Sequence, residues 1–452
     1  MKDNLLRLGL AAWAIPGCVI PQVTGTPTQT GMEGLRPNIL FIFADDWGFG
    51  DLSAHGHKGL TTPNLDKLIS QGTDYMMFNV CNPVSSPSRT AVVTGHFPSR
   101  HGIHEHIASH ESNQQRGMPD WLDPHVVLLP RLLQQSGYRT AHYGKWHLSN
   151  DMIVNAPLPV LYGYDDTRVF NGSGPQVESG PKEYPSSAWT ANCVNYTIDF
   201  IKKDSSKPFY INLWIHETHQ KIEPSPEQRK PYLHLPEPQQ SYYSVVTAAD
   251  RELGRLFDYL REAGLEENTL VIFSSDNGPE HNSFPSTWSS VGETAGLRAR
   301  KRSLYEGGIK VPFIVRLPGR VAAGVVDAKS KLAAVDILPT FCALAGVELP
   351  EGYLSDGENI LPALAGKEFV RTKPVLQFWQ GNAGGDNWPR LAITLDQWKL
   401  LMNYDGSRIE LYDHFNDWGE QNNVAAQHPE VVAKLKPMIL DYYNSLPLIN
   451  RP

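Results

Sequence analysis

Three groups of residues in this 452-residue chain have the types and spacing for chemistry on an anion. The first centres on Ser85 in Pro83-Val84-Ser85-Ser86-Pro87-Ser88-Arg89-Thr90-Ala91-Val92-Val93-Thr94-Gly95, a small-residue loop that runs into an apolar, helix-compatible segment. A hydroxyl at a helix start sits among free backbone N–H groups, and the Arg89 guanidinium can point the same way, so the place suits an oxyanion. A serine–proline turn that merely caps a helix is the bland alternative. The second group is two acidic strand ends. Asp45-Asp46 follows the apolar run 37–44, and Asp276-Asn277 follows 269–275. Adjacent carboxylates repel unless a cation offsets them, and hard oxygen donors suit calcium or magnesium. Either pair alone also reads as a turn or capping aspartate. The third group supplies positive charge and imidazoles: Lys145 and His147, His216 and His219, and Lys301 within Arg298-Ala299-Arg300-Lys301-Arg302. Singly these are surface lysines, packed histidines and a solvated charge run. The His-x-x-His spacing also admits a zinc pair, which the oxygen-rich donors elsewhere disfavour.

Residues 83–95 resemble the signature of the type I sulfatases, in which Cys or Ser is followed by x-Pro-x-Arg and, after two residues, by an apolar pair and Thr-Gly. Cys81 is a decoy, because Ser85 stands where its arginine should be. The resemblance implies that Ser85 is oxidised to formylglycine (3-oxoalanine) by a serine-type maturation enzyme. An unmodified serine that attacked a sulfate ester would end as another stable sulfate ester. A hydrated aldehyde carries a second hydroxyl, whose deprotonation expels sulfate and restores the aldehyde.

Further stretches match the same family in order: Thr62-Pro63-Asn64-Leu65, residues 137–147 with an unusually large Tyr143, His216-Glu217-Thr218-His219 with Thr218 in place of proline, and Lys301 ahead of Tyr305-Glu306-Gly307-Gly308. By resemblance, Asp45, Asp46, Asp276 and Asn277 bind one Ca2+ or Mg2+, with modified Ser85 as a further ligand. Arg89 helps hold the hydrate. Lys145, His219 and Lys301 face the sulfate and the departing alcohol, with His219 as proton donor, and His147 assists elimination. His216, beside His219, and His104 and Trp379, on loops, are the expected substrate contacts. Asn382, Asn387, Trp388 and Arg390 are further residues expected to line the cleft.

For these groups to meet, buried strands must deliver them to one edge. The apolar run 37–44 reads as a central strand of a parallel sheet, 209–215 and 269–274 as further buried strands and 311–316 as another strand, and the carboxyl ends of such strands are where open α/β folds place sites. Helical patterns cover residues 126–135 and 242–264, the second with Val245, Ala249, Leu253, Leu256 and Leu260 on one face. From about residue 370 short alternating runs precede a helix over 429–443, which reads as a small antiparallel sheet with one helix. The family resemblance implies an α/β, alkaline-phosphatase-like fold: a large mixed, mostly parallel sheet flanked by helices, with a smaller C-terminal antiparallel sheet. The expected organisation is a signal peptide over 1–18, a tether over 19–36, a catalytic domain over 37–369 and an α+β subdomain over 370–452.

The formal charge of −8 argues against general nucleic-acid binding, so an anionic substrate must be attracted locally. The N-terminus reads as an export signal, and Ile15-Pro16-Gly17-Cys18 resembles a bacterial lipobox, so the expected location is the periplasm or the cell envelope, with a lipid anchor as the membrane contact. The four cysteines, Cys18, Cys81, Cys193 and Cys342, lack paired or metal-type spacing and read as buried thiols once Cys18 is removed or lipidated. The function expected is a bacterial sulfatase acting on sulfated carbohydrate. Two rivals are a phosphodiesterase or phosphonate hydrolase of the same superfold and a non-catalytic glycan-binding protein.

Overall fold

The apolar runs become strands with both faces covered. The computed structural model describes residues 30–219, 221–281, 289–381 and 388–447. Its strands are β1 (Asn38–Ala44), β2 (Thr73–Tyr75), β3 (Phe78–Asn79), β4 (Arg139–Lys145), β5 (Asp166–Phe170), β6 (Phe209–Trp214), β7 (Thr269–Ser275), β8 (Phe313–Arg316), β9 (Val325–Asp327) and β10 (Leu332–Ala333). Later come β11 (Val375–Phe378), β12 (Leu391–Leu395), β13 (Trp398–Met402) and β14 (Glu410–Asp413). The large sheet runs β5-β4-β6-β1-β7-β8-β2-β9 and is parallel except where β8 opposes β7 and β2. Strands β11 to β14 form a separate antiparallel sheet in chain order, and β3 pairs with β10.

Alternation along β1 divides the interior. Ile39, Phe41 and Phe43 enter one core, and Leu40, Ile42 and Ala44 the other, as a period of two requires. Helices Pro63–Gln71, Trp189–Lys203 and Gln239–Glu262 cover the second face, the last burying Val245, Ala249, Leu253, Leu256 and Leu260. Helices Ser85–Thr94, Leu129–Gln135 and Ile337–Ala345 cover the first. That core continues through Leu391, Ile393, Leu400 and Leu411 to Ile439 of helix Pro429–Ser445, so the small sheet shares apolar packing with the large one.

Two expectations are corrected. The helix expected from residue 126 begins at Leu129, with Pro130 in its first turn, where a missing N–H costs nothing. The tether expected over 19–36 ends earlier. Met32 is 1% exposed in the core, Gly34 N donates to Ala343 O at 3.0 Å, and Arg36 Nη2 donates to Ser136 O at 2.7 Å, so this stretch is held by burial and hydrogen bonds. The signal peptide, Cys18 and the rest of the tether to residue 29 lie outside the described residues. Cys81, Cys193 and Cys342 are buried free thiols, as expected.

Candidate active site

Ser85 opens a ten-residue helix, Ser85–Thr94, that is buried throughout and ends at Gly95 in the left-handed region. Its other hydroxyls are absorbed by backbone: Ser88 Oγ donates to Asn82 O at 2.7 Å, Thr90 Oγ1 to Ser86 O at 2.9 Å, and Thr94 Oγ1 to Thr90 O at 2.6 Å. Ser85 Oγ differs. It lies 3.0 Å from Lys145 Nζ and 3.4 Å from Asp45 Oδ1. Arg89, one turn on, is fully buried, with its guanidinium 4.9 Å from the Trp214 ring centroid and 5.5 Å from that of Phe43. Its Nη2 donates to Asp276 Oδ2 at 2.6 Å.

Register unites the acidic strand ends. Parallel pairing sets Ala44 opposite Ser275, so Asp45-Asp46 and Asp276-Asn277 emerge side by side. Asp46 N donates to Asp276 Oδ1 at 3.1 Å, and Asn277 Nδ2 to Asp46 Oδ1 at 2.7 Å. Oxygens of Asp45, Asp46 and Asp276 lie within 4.8 Å of one another, and all three side chains are fully buried. Burial raises the Asp45 carboxyl, but the Lys145 ammonium foremost, with a hydrogen bond from His216, holds it well below the usual range. Burial pushes Asp46 up to about 7; Lys301 opposes this, while Asp45, Glu280 and Asp276 add to it. Asn277 Oδ1 is buried with no hydrogen-bond partner among the described residues. Three clustered carboxylates and an orphaned amide oxygen fit a hard divalent cation.

The cationic groups arrive from three elements. Lys145 ends β4, and its Nζ contacts both Asp45 oxygens, at 2.8 and 2.7 Å. Gly144 before it has φ 111°, and a Cβ there would fall 1.9 Å from Trp214 O, so only glycine lets β4 run this close to β6. His216 follows β6, donates from Nδ1 to Asp45 and stacks on His219 with centroids 4.9 Å apart. Thr218, where proline was the familiar residue, donates to Asp45 O and gives that strand end an anchor. Burial, reinforced by Lys145, holds the imidazoles of His147 and His219 well below their ordinary pKa, which favours their uncharged forms. His147 Nε2 lies 3.0 Å from Ile107 O, and its buried Nδ1 has no partner among the described residues.

Of the four cations in the 298–302 run, Lys301 reaches the acidic group, with Nζ 2.7 Å from each Asp46 oxygen. Arg300 Nε donates to Glu280 O at 2.8 Å, Arg298 Nη1 to Tyr412 OH at 2.7 Å, and Arg302 pairs with the Glu280 carboxylate. Lys301, Arg300 and Arg302 thus converge on Glu280 while Arg298 turns to Tyr412, so the run is not spread over a solvated face. Glu280, not among the residues expected at the site, lies 3.4 Å from Lys301 Nζ. Burial opposes its ionisation, yet Lys301 and Arg302 hold its carboxyl down at about 2. Its one sequence signal is its place in Asp276-Asn277-Gly278-Pro279-Glu280, directly after the strand-end pair.

The structure therefore gathers Ser85, Arg89, Lys145, His216, Lys301, Asp45, Asp46, Asp276 and Asn277, with His219 against His216. His104 and Trp379, expected on substrate-facing loops, are core residues at 1% and 0% exposure. His104 Nε2 lies 3.1 Å from Arg116 O, and burial lowers its pKa to about 4. Trp379 N donates to Arg390 O at 2.8 Å, which continues the β11–β12 pairing and carries the indole into the apolar core. Trp388 Nε1 donates to Tyr305 OH at 2.8 Å, and the Arg390 guanidinium lies 5.5 Å from the Tyr404 ring centroid. Asn382 and Asn387 lie outside the described residues.

Residues 37–347 match the family model described as Sulfatase, and residues 298–444 match the one described as N-sulphoglucosamine sulphohydrolase, C-terminal. The chain is 30% identical over 399 residues to an N-acetylgalactosamine-6-sulfatase of Canis lupus familiaris, covering 80% of this chain and 71% of that one. It is 27% identical over 506 residues to an N-acetylgalactosamine-6-O-sulfatase of Bacteroides thetaiotaomicron, covering 91% and 94% of the two. Its fold is similar to the crystal structure of Ps i-CgsB in complex with k-i-k-neocarrahexaose, with a TM-score of 0.77, 26% identity, and 90% and 93% of the chains covered.

Proposed function

The chain belongs to the sulfatase family, and on that footing we propose that it removes sulfate from carbohydrate by way of Ser85 oxidised to formylglycine, beside one divalent cation. It is a sulfuric ester hydrolase. The observation that carries the finer reading is the setting of Ser85 Oγ, at a buried helix start, 3.0 Å from Lys145 Nζ and 3.4 Å from Asp45 Oδ1.

Asp45, Asp46, Asp276 and Asn277, with residue 85, would hold calcium or magnesium. When bound, the cation supplies fixed positive charge that lowers the pKa of the nucleophilic oxygen. Formylglycine would supply a hydrated aldehyde, which makes release of sulfate possible. The remaining work falls to the chain's own groups. Arg89, locked to Asp276 and packed against the Trp214 and Phe43 rings, orients residue 85. Lys145 neutralises a sulfate oxygen where bulk water is excluded, which strengthens the attraction. His219, stacked on His216, would donate a proton to the leaving alcohol. His147, whose buried Nδ1 has no partner among the described residues, would accept the proton that elimination sheds. Lys301 keeps its charge because Asp46 and Glu280 offset the cost of burial, and it faces the leaving oxygen.

A carbohydrate substrate is supported by the names of the two N-acetylgalactosamine sulfatases and by the saccharide complex of Ps i-CgsB. Export and lipidation at Cys18 remain part of the proposal on the strength of the N-terminal sequence.

Peptide mass spectrometry across Ser85 tests the central claim. In protein co-produced with a serine-type maturation enzyme the peptide should be lighter by H2, and turnover of defined sulfated oligosaccharides should scale with that fraction. Full activity with Ser85 unmodified would overturn the formylglycine reading. Preference for an aryl phosphodiester over an aryl sulfate would overturn the choice of sulfate, and binding of sulfated oligosaccharide without turnover by converted protein would favour a glycan-binding role.

A further inference from the structure

A second ionic cluster, outside the site described above, is fully enclosed between the large sheet and the small one. Glu306, Lys399 and Glu420 are each 0% exposed, Lys310 1% and His414 2%. Lys399 Nζ, from β13, lies 2.8 Å from Glu306 Oε1 and 2.8 Å from Glu420 Oε1. Glu306 also receives Lys310 Nζ at 3.1 Å and Asn79 Nδ2 at 3.1 Å, while its own N–H donates to Glu420 Oε2 at 2.7 Å. Donor atoms of Glu306, His414 and Glu420 lie within 4.8 Å of one another, as a metal site would require. The Lys399 ammonium, however, stands between the two glutamates and is itself the cation they share.

Burying such a cluster gains little stability over apolar packing, because desolvation consumes most of the Coulomb gain. What it does supply is fixed geometry, and the element it fixes leads to Lys301. Glu306 opens the short helix Glu306–Ile309, and Gly307 N donates to Arg298 O at 2.8 Å, which closes the base of the 298–307 loop. Both ends of that loop are tied to the small sheet. At one end Arg298 Nη1 donates to Tyr412 OH at 2.7 Å and to Glu420 O at 3.2 Å. At the other, Tyr305 OH donates to Glu410 Oε2 at 2.7 Å and accepts from Trp388 Nε1 at 2.8 Å. The Arg298 guanidinium lies 3.8 Å from the Tyr305 ring centroid and joins the two ends. Lys301, between them, extends the other way to Asp46 at 2.7 Å.

Resting on the assignment of Lys301 to the leaving oxygen, we propose that the small C-terminal sheet, together with Pro279 O, which accepts from Lys301 N at 3.0 Å, positions Lys301, with Lys399, Glu420 and Tyr305 as positioning residues. The sheet holds the loop at its two ends, so that the ammonium at its apex meets the reacting group at a set distance. Interactions that act at the transition state are sensitive to displacements of this kind.

The test uses the full-length, matured, metal-loaded protein and a series of aryl sulfates of graded leaving-group pKa. Lys301→Ala should steepen the fall of kcat/KM with rising leaving-group pKa, because poor leaving groups depend most on the lost charge. Lys399→Met and Tyr305→Phe should steepen it in the same sense, by about tenfold at the poor end and less than about twofold at the good end, with metal content and Ser85 conversion unchanged. In a Lys301→Ala background, Tyr305→Phe should add no further steepening, as expected of residues acting through one group. Tyr305→Phe keeps the test open if Lys399→Met does not fold. Steepening by Lys301→Ala together with a uniform loss, or no loss, in the positioning variants would overturn the inference while leaving the role of Lys301 intact. No steepening by Lys301→Ala would overturn that role and the inference with it.

Discussion

Three buried carboxylates, Asp45, Asp46 and Asp276, face three buried cations, Arg89, Lys145 and Lys301. Such a balance is sensitive to the loss of any one member, since an uncompensated buried charge costs about 3–5 kcal/mol. The members differ in role, and substitutions should separate them. Ser85→Ala should abolish turnover while bound metal, measured by elemental analysis, falls only in part, since Asp45, Asp46, Asp276 and Asn277 remain. Asp46→Asn should instead lower metal content. Lys145→Ala should lower kcat by about a hundredfold or more, the loss typical of an oxyanion-stabilising donor. Retention of kcat in that variant would show that Lys145 serves Asp45 and not the substrate.

At the level of elements, the site depends on backbone approaches that admit no side chain. A Cβ on Gly278 would fall 1.9 Å from Gly307 O, at the point where the segment after β7 meets the short helix after the Lys301 loop. Gly278 N donates to Gly308 O at 2.9 Å, which ties Asn277 to that helix. Gly278→Ala should therefore destabilise the protein by about 1–3 kcal/mol, the usual cost of overpacking. It should also lower metal occupancy through Asn277, read as a lower melting temperature together with a lower metal-to-protein ratio. A lower melting temperature with full occupancy would show that the strand ends tolerate displacement of their neighbour.

Over the whole molecule, the seam between the two sheets carries a pH dependence of its own. Lys331 lies in that seam at 9% exposure, with Nζ 5.0 Å from the Phe415 ring centroid and no hydrogen-bond partner among the described residues. Burial pulls its pKa down to about 7, against partial support from Glu306. An unfolded lysine titrates near ~10.4, so between about pH 7 and 10 the unfolded chain binds a proton that the folded chain lacks. Stability from this group must rise with pH across that window, and the penalty is fully present below about pH 7. Lys331→Met should raise the melting temperature at neutral pH and flatten its rise from pH 7 to 10, relative to the parent. An unchanged slope would mean that Lys331 stays charged in the folded protein.

Local spacing made much of this legible in advance. Ser85 and Arg89 are four residues apart and so share one face of whatever helix forms there. Unbroken apolar runs ending in Asp45-Asp46 and Asp276-Asn277 marked buried strands with oxygen donors at their tips. These properties belong to single elements, and a period or a strand end is written in consecutive residues. What joined the elements was decided elsewhere. Asp46 and Asp276 are 230 positions apart and meet because β1 and β7 pair in one register. Glu280 joined Lys301, His104 and Trp379 went into the core, and residues 30–36 docked, because of what packs against them. Burial and charge partnership depend on neighbours brought from distant parts of the chain, and no local pattern specifies which neighbours those will be.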